Sequence, residues 1–301
     1  MKKILSLAFA FITLTSLPSN SFAKVNIFAC EPEWKALAEE IGRDKIEAIS
    51  AVSAHQDPHF IRAKPSLISK MRQADLVFCS GAELEVGWLP VLLQKSGSSK
   101  VQQGEVGHFM ASNYVNRLAV PERLDRSDGH IHAQGNPHVH LNPYNLIKIA
   151  KELSNRLSQI DADNSNFYLG NFSKFKSEWT EYIMEWEQKA SRLKNLPVIV
   201  QHGSFLYFND WLKIRQVADL EPKAGIAPTI SHIESLLKII KEDKTKAILL
   251  KPFDNKDGGK WLNEKTDIPI VILPYTVGGS SRSKDLKSLF DDTINKLLEV
   301  I

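Results

Sequence analysis

The feature that most constrains this chain is a pair of strand–helix alternations held apart by one long helical period. Tyr168, Phe172, Phe175, Trp179, Ile183, Trp186 and Ala190 recur at three- and four-residue spacing up to about Leu193, the signature of one helical face. A segment of roughly 30 residues spans about 45 Å as a helix, enough to cross a whole molecule. Its aromatic stripe is read as core packing.

On either side the period changes. Before the long segment, residues 25–29, 45–52 and 74–79 are short apolar runs. Helical patterns separate them, opening at Pro32, at Pro65 and over 83–94. After it, residues 197–201, 216–220, 247–250 and 269–273 are strand-like. Helical patterns lie over 204–212, 229–242 (Ser231 its expected cap), 260–265 and 284–298. Such alternation predicts parallel sheets covered by helices. Asn142-Pro143 pairs a cap residue with proline at the first helical position, predicting a helix to about residue 160. The fold class expected is therefore α/β: two Rossmann-like lobes with parallel sheets, joined by a long rigid helix. The divisions expected are 24–142 for the first lobe, 143–195 for a helical connector and 196–301 for the second lobe.

Residues 1–23 read as a cleavable export signal. Lys2 and Lys3 precede a mostly apolar stretch from Ile4 to Leu17, and Ser21-Phe-Ala23 forms a small-x-small cleavage site. The stretch of about 14 residues is short of the roughly 20 a membrane span needs, so a soluble periplasmic protein is expected. Without Lys2 and Lys3 the formal charge of +3 falls near neutrality, which gives no reason to expect nucleic acid as a partner. In an exported chain the two cysteines, Cys30 and Cys79, suggest a disulfide. Cys30 lies too far beyond the apolar stretch to fit a lipid-attachment site well.

Residues 96–137 are polar and weakly periodic, so they are read as a loop, and a loop of that length is usually functional. It leads into a histidine-rich stretch holding four of the nine histidines, between positions 130 and 140. Three histidines share a setting. His59 follows Asp57-Pro58, His138 follows Asn136-Pro137, and His202 follows the strand at 197–201. Each sits where a regular element meets a loop, and ligands of open α/β sheets bind beyond the carboxyl ends of strands. Neutral imidazole suits zinc, copper, nickel and iron. Ligand release by protonation near pH 5–6 is expected of ordinary imidazoles.

Longer motifs carry a resemblance. Gln56-Asp-Pro-His-Phe-Ile-Arg-Ala-Lys-Pro-Ser66, Ala74-Asp-Leu-Val-Phe-Cys-Ser-Gly-Ala-Glu-Leu-Glu85 with Trp88, Gly135-Asn-Pro-His-Val-His-Leu-Asn-Pro-Tyr-Asn145, Gln201-His-Gly-Ser-Phe-Leu-Tyr-Phe208 and Glu221-Pro222 occur in order over nearly the whole exported chain. Together they resemble the periplasmic zinc- and manganese-binding receptors of ABC metal importers, the ZnuA/TroA-like solute-binding family. The resemblance implies His59, His138 and His202 as metal ligands and two lobes bridged by a long helix. It implies delivery of the ion, as a monomer, to a cognate membrane permease and ATPase, and no catalysis. The family's usual carboxylate in the last third is missing, since those stretches read Leu250-Lys-Pro-Phe-Asp254 and Leu273-Pro-Tyr-Thr-Val-Gly-Gly279. Water, Asp254 or His132 remain open as the fourth ligand. Three imidazoles without a carboxylate favour Zn(2+) over Mn(2+), which prefers oxygen, with other divalent transition metals possible. The competing readings are a periplasmic metallochaperone and a zinc-dependent hydrolase, but no general base or His-Glu-x-x-His helix is evident. His130, His132 and His140 form a short cluster read either as scavenging or as solvated, and His55, His108 and His232 are read as incidental.

Overall fold

The computed structural model describes residues 24–123, 132–223 and 226–301; the expected export signal and His130 lie outside them. Two four-stranded parallel sheets repeat one topology. The first has order β2-β1-β3-β4, from β1 (Val25–Ala29), β2 (Ile46–Ser50), β3 (Leu76–Cys79) and β4 (His108–Met110). The second has order β6-β5-β7-β8, from β5 (Pro197–Val200), β6 (Arg215–Asp219), β7 (Ala247–Leu250) and β8 (Ile270–Ile272). The central strands β3 and β7 read LVFC and AILL and are buried throughout. Strands covered on both faces need such unbroken apolar runs. The outer strands β2 and β6 are only partly buried and carry charged residues.

The helices are α1 (Pro32–Gly42), α2 (Pro65–Gln73), α3 (Leu89–Ser96), α4 (Pro143–Ile160), α5 (Ser165–Lys189), α6 (Leu206–Leu212), α7 (Ile230–Asp243), α8 (Asp257–Thr266) and α9 (Leu286–Leu298). α4 begins as expected, with the Asn142 side chain accepting from the Tyr144 amide. α5, about 37 Å long at 1.5 Å per residue, is the long helix. Its buried face is Tyr168, Phe175, Trp179, Ile183 and Trp186, and it is fastened at both ends. Asn171 donates to the Ile41 carbonyl at the end of α1, while the Trp186 indole donates to Asp291 on α9 and stacks on Phe290. One continuous apolar core runs from β1 and α1 through α4 and α5 to β5 and α9. Hinging the lobes widely would open that core.

Three local expectations change. The helix expected over 83–94 starts only at Leu89, because Gly81, Ala82 and Glu83 all take positive φ. The Glu85 carboxylate folds back onto the amides of Ser80 and Gly81 and holds that turn. The loop read over 96–137 contains β4, three residues whose strand geometry comes from pairing with β3 rather than from any pattern of their own. The cap of α7 is Thr229, not Ser231. The Cys30–Cys79 disulfide is present. The parallel register Ala29↔Phe78 sets the two cysteines side by side, with Cα atoms 4.8 Å apart, inside the bridging range. Both cysteines are fully buried, so Cys30 offers no lipid-attachment site.

Candidate metal site

His59 stands in the loop after β2, His138 leads into the turn before α4, and His202 follows β5 by two residues. They are 79 and 64 positions apart in sequence, yet one ligand atom from each lies within 4.8 Å of the others. Their ring centroids are 6.0, 6.3 and 6.1 Å apart.

Two of the imidazoles are oriented through Nδ1. His59 Nδ1 lies 2.7 Å from the Asp57 carboxylate, which also accepts from the His59 amide. His138 Nδ1 lies 2.6 Å from the Tyr275 hydroxyl. His202 Nδ1 is 3.7 Å from Glu221, whose other oxygen accepts from Gln201. With Nδ1 occupied in His59 and His138, Nε2 is the nitrogen those two rings have left for the cluster, the arrangement in which an outer partner fixes tautomer and ring orientation. Among the described residues, His138 Nε2 is buried without a hydrogen-bond partner. Burial, reinforced by the neighbouring imidazoles, holds the His138 pKa well below the usual histidine value. Burial first, then the Lys251 charge, lowers that of His202 to about 3. Burial alone would raise the Asp57 pKa, but the hydrogen bond and charge of His59 bring it to about 2. Burial thus favours the neutral imidazole at these two positions, the form that metal ligation requires.

The remaining residues separate cleanly. His132 comes to the cluster, its Nε2 3.2 Å from His59 Nε2, and helps line a cleft of about 200 Å³ with His138, His202 and Glu221. His140 is wholly buried, 2.9 Å from the Tyr275 carbonyl and 3.2 Å from Glu33, so it is neither solvated nor scavenging. His55 is exposed, and His108 and His232 bond to the Val101 and Asp219 carbonyls away from the cluster. Where the family pattern has a carboxylate, Lys251 is buried, donating to Ser204 and pairing with Asp254 at 3.3 Å. The Asp254 carboxylate also accepts from the Lys251 amide at 2.7 Å. Sequence reasoning missed the orienting roles of Asp57 and Tyr275. Only Asp57, two positions before its histidine, carried a local signal.

Two parallel-sheet lobes on a shared helix, with three imidazoles gathered where the lobes meet, define a two-lobed solute-binding receptor with a site suited to a cation. The model of the family described as zinc-uptake complex component A, periplasmic, matches residues 27–300, and the chain belongs to that family, one of metal-binding receptors of ABC importers and not of enzymes. The manganese ABC transporter substrate-binding lipoprotein PsaA of Streptococcus pneumoniae is 27% identical over 92% of this chain and 90% of its own length. The metal ABC transporter substrate-binding lipoprotein FimA of Streptococcus parasanguinis is 26% identical over the same shares. In fold, the chain is similar to a crystal structure of ZnuA, with TM-score 0.77 and 19% identity over 92% of this chain and 99% of the other. It is also similar to the Mn-bound periplasmic metal-binding protein from candidatus liberibacter asiaticus, with TM-score 0.74 and 15% identity over the same shares. Among the described residues, no helix is long and apolar enough to cross a membrane.

Proposed function

We propose that this chain is an exported receptor that captures zinc through His59, His138 and His202 and passes it to a cognate ABC permease and ATPase. In this reading the first lobe covers 24–142, the helical connector 143–195 and the second lobe 196–301. The observation that carries the proposal is the buried, unpartnered Nε2 of His138 beside two further imidazoles, one of them with its Nδ1 already engaged by Asp57. A buried polar atom without a partner is costly, and a cation offers that nitrogen its partner. The relatives' names span manganese and zinc. Zinc is favoured here because the donors are imidazoles, whereas manganese prefers oxygen.

The test is metal content of the purified protein with affinity from chelator competition, for the wild type and for His59→Ala, His138→Ala and His202→Ala. One zinc per chain is expected, displaced by manganese only in large excess, with tight binding lost in each variant. Binding indifferent to all three substitutions would remove the reading.

A further inference from the structure

His132 is the histidine that sequence reasoning could not place. Its ring centroid is 5.3 Å from that of His59 and 6.5 Å from that of His138, which sets it on the His59 side of the three histidines whose ligand atoms lie within 4.8 Å of one another. Four nitrogens bound at 2.0–2.1 Å in a tetrahedron lie about 3.3 Å apart. The His59 and His132 Nε2 atoms, at 3.2 Å, already sit at the length of one tetrahedral edge.

The backbone around His132 is built to hold it there. The Gly135 amide closes a turn onto the His132 carbonyl at 3.0 Å, and the next residue's amide, Asn136, donates to Leu118 at 2.8 Å. The Ala133 amide donates to the Glu83 carboxylate of the first lobe, and the Gln134 side chain accepts from Arg117. Gly135 has φ +94°, and a Cβ there would come within 2.9 Å of the Leu118 carbonyl oxygen, so only glycine completes this turn. The segment also reaches the second lobe, where Asn136 donates to the Gly203 carbonyl beside His202.

The carboxylates near the site are engaged elsewhere. Both Asp254 oxygens face Lys251, one at its amide and one at its ammonium. Glu221 lies on the Nδ1 side of His202 and accepts from Gln201.

We infer that His132 supplies the fourth ligand, so that the cargo ion is enclosed by four imidazoles with the 132–136 turn as the lip of the site. This inference rests on the three-histidine reading above and deepens it. Four neutral nitrogen donors and no oxygen make a site that selects zinc and its late-transition-metal neighbours against manganese.

The test is zinc K-edge X-ray absorption of the loaded protein, with chelator-competition affinities for the wild type, His132→Ala and His59→Ala. The wild type should show four imidazole scatterers, and His132→Ala three with one light oxygen. Losing an outer partner of a metal ligand costs about 10–100-fold in affinity, so losing His132 should cost at least that. The unfolding midpoint of the metal-free His132→Ala protein should match the wild type. Three imidazoles and an oxygen in the wild type, or unchanged affinity in His132→Ala while His59→Ala has lost binding, would overturn this inference alone. Full affinity in His59→Ala would overturn the three-histidine site and this inference with it.

Discussion

The two lobes share a strand order and differ in the ionisable groups they bury behind it. In the first lobe, Glu31, Glu33 and Glu85 are almost wholly buried near the disulfide and His140. Burial and mutual repulsion raise the Glu31 pKa well above the usual carboxylate value, and burial raises that of Glu85 to about 7. In the second lobe the buried ion pair is Lys251 with Asp254, and among the described residues no disulfide is present. The difference teaches that topology fixes where strand ends converge, while the side chains set on those ends decide what the convergence can hold. The two chemistries meet at Tyr275 and Thr276. Tyr275 orients His138, its carbonyl lies beside His140, and Thr276 donates to Glu33 across the lobe junction.

The contrast can be broken at its covalent end first. Replacing Cys30 and Cys79 together by serine should lower unfolding free energy by about 4 kcal/mol, the loop-closure value for a crosslink spanning some 50 residues. Urea denaturation measures the loss, and hydrogen exchange should place the loosened amides around β1 and β3. A loss under about 1 kcal/mol would show that the first lobe needs no covalent support beyond its core.

In the second lobe, Lys251→Met leaves the Asp254 carboxylate buried without its cation. Breaking such a pair from one side costs about 3 kcal/mol, and adding Asp254→Asn should recover most of it. A single variant as stable as the wild type would mean that the pair contributes nothing and that the two lobes differ less in their buried charge than their residues suggest.

The smallest effect concerns acid, to which the lobes should respond with opposite sign. The folded-state pKa of His202 lies below its unfolded value, so its contribution is present above about pH 6.5 and is lost as pH falls. Between pH 7.5 and 5 that loss amounts to about 2 kcal/mol in the metal-free protein. The folded-state pKa of Glu85 is raised, so its contribution is present at low pH and is lost as pH rises through about 7. Stability profiles of metal-free His202→Gln and Glu85→Gln should therefore depart from the wild type in opposite directions. Departures of the same sign would end the comparison. Zinc affinity over the same window should fall less than the about 10⁴-fold expected of three ordinary imidazoles, since burial disfavours protonating His138 and His202.

The sequence by itself determined the layered architecture. Short unbroken apolar runs such as 76–79 and 247–250, alternating with helical patterns, read as strands covered on both sides, and the stripe from Tyr168 to Trp186 reads as a buried helix face. It also brought His59, His138 and His202 forward, because each follows a recognisable junction. Only the tertiary structure decided what surrounds them. Three-residue β4 exists because β3 offers it a register, and the turn before α3 exists because Glu85 folds back onto it. Tyr275 meets His138 across 137 positions and His132 meets His59 across 73. Periodicity reports how one element faces its core, but contacts between distant loops depend on how two sheets and a shared helix are packed, and no local pattern encodes that.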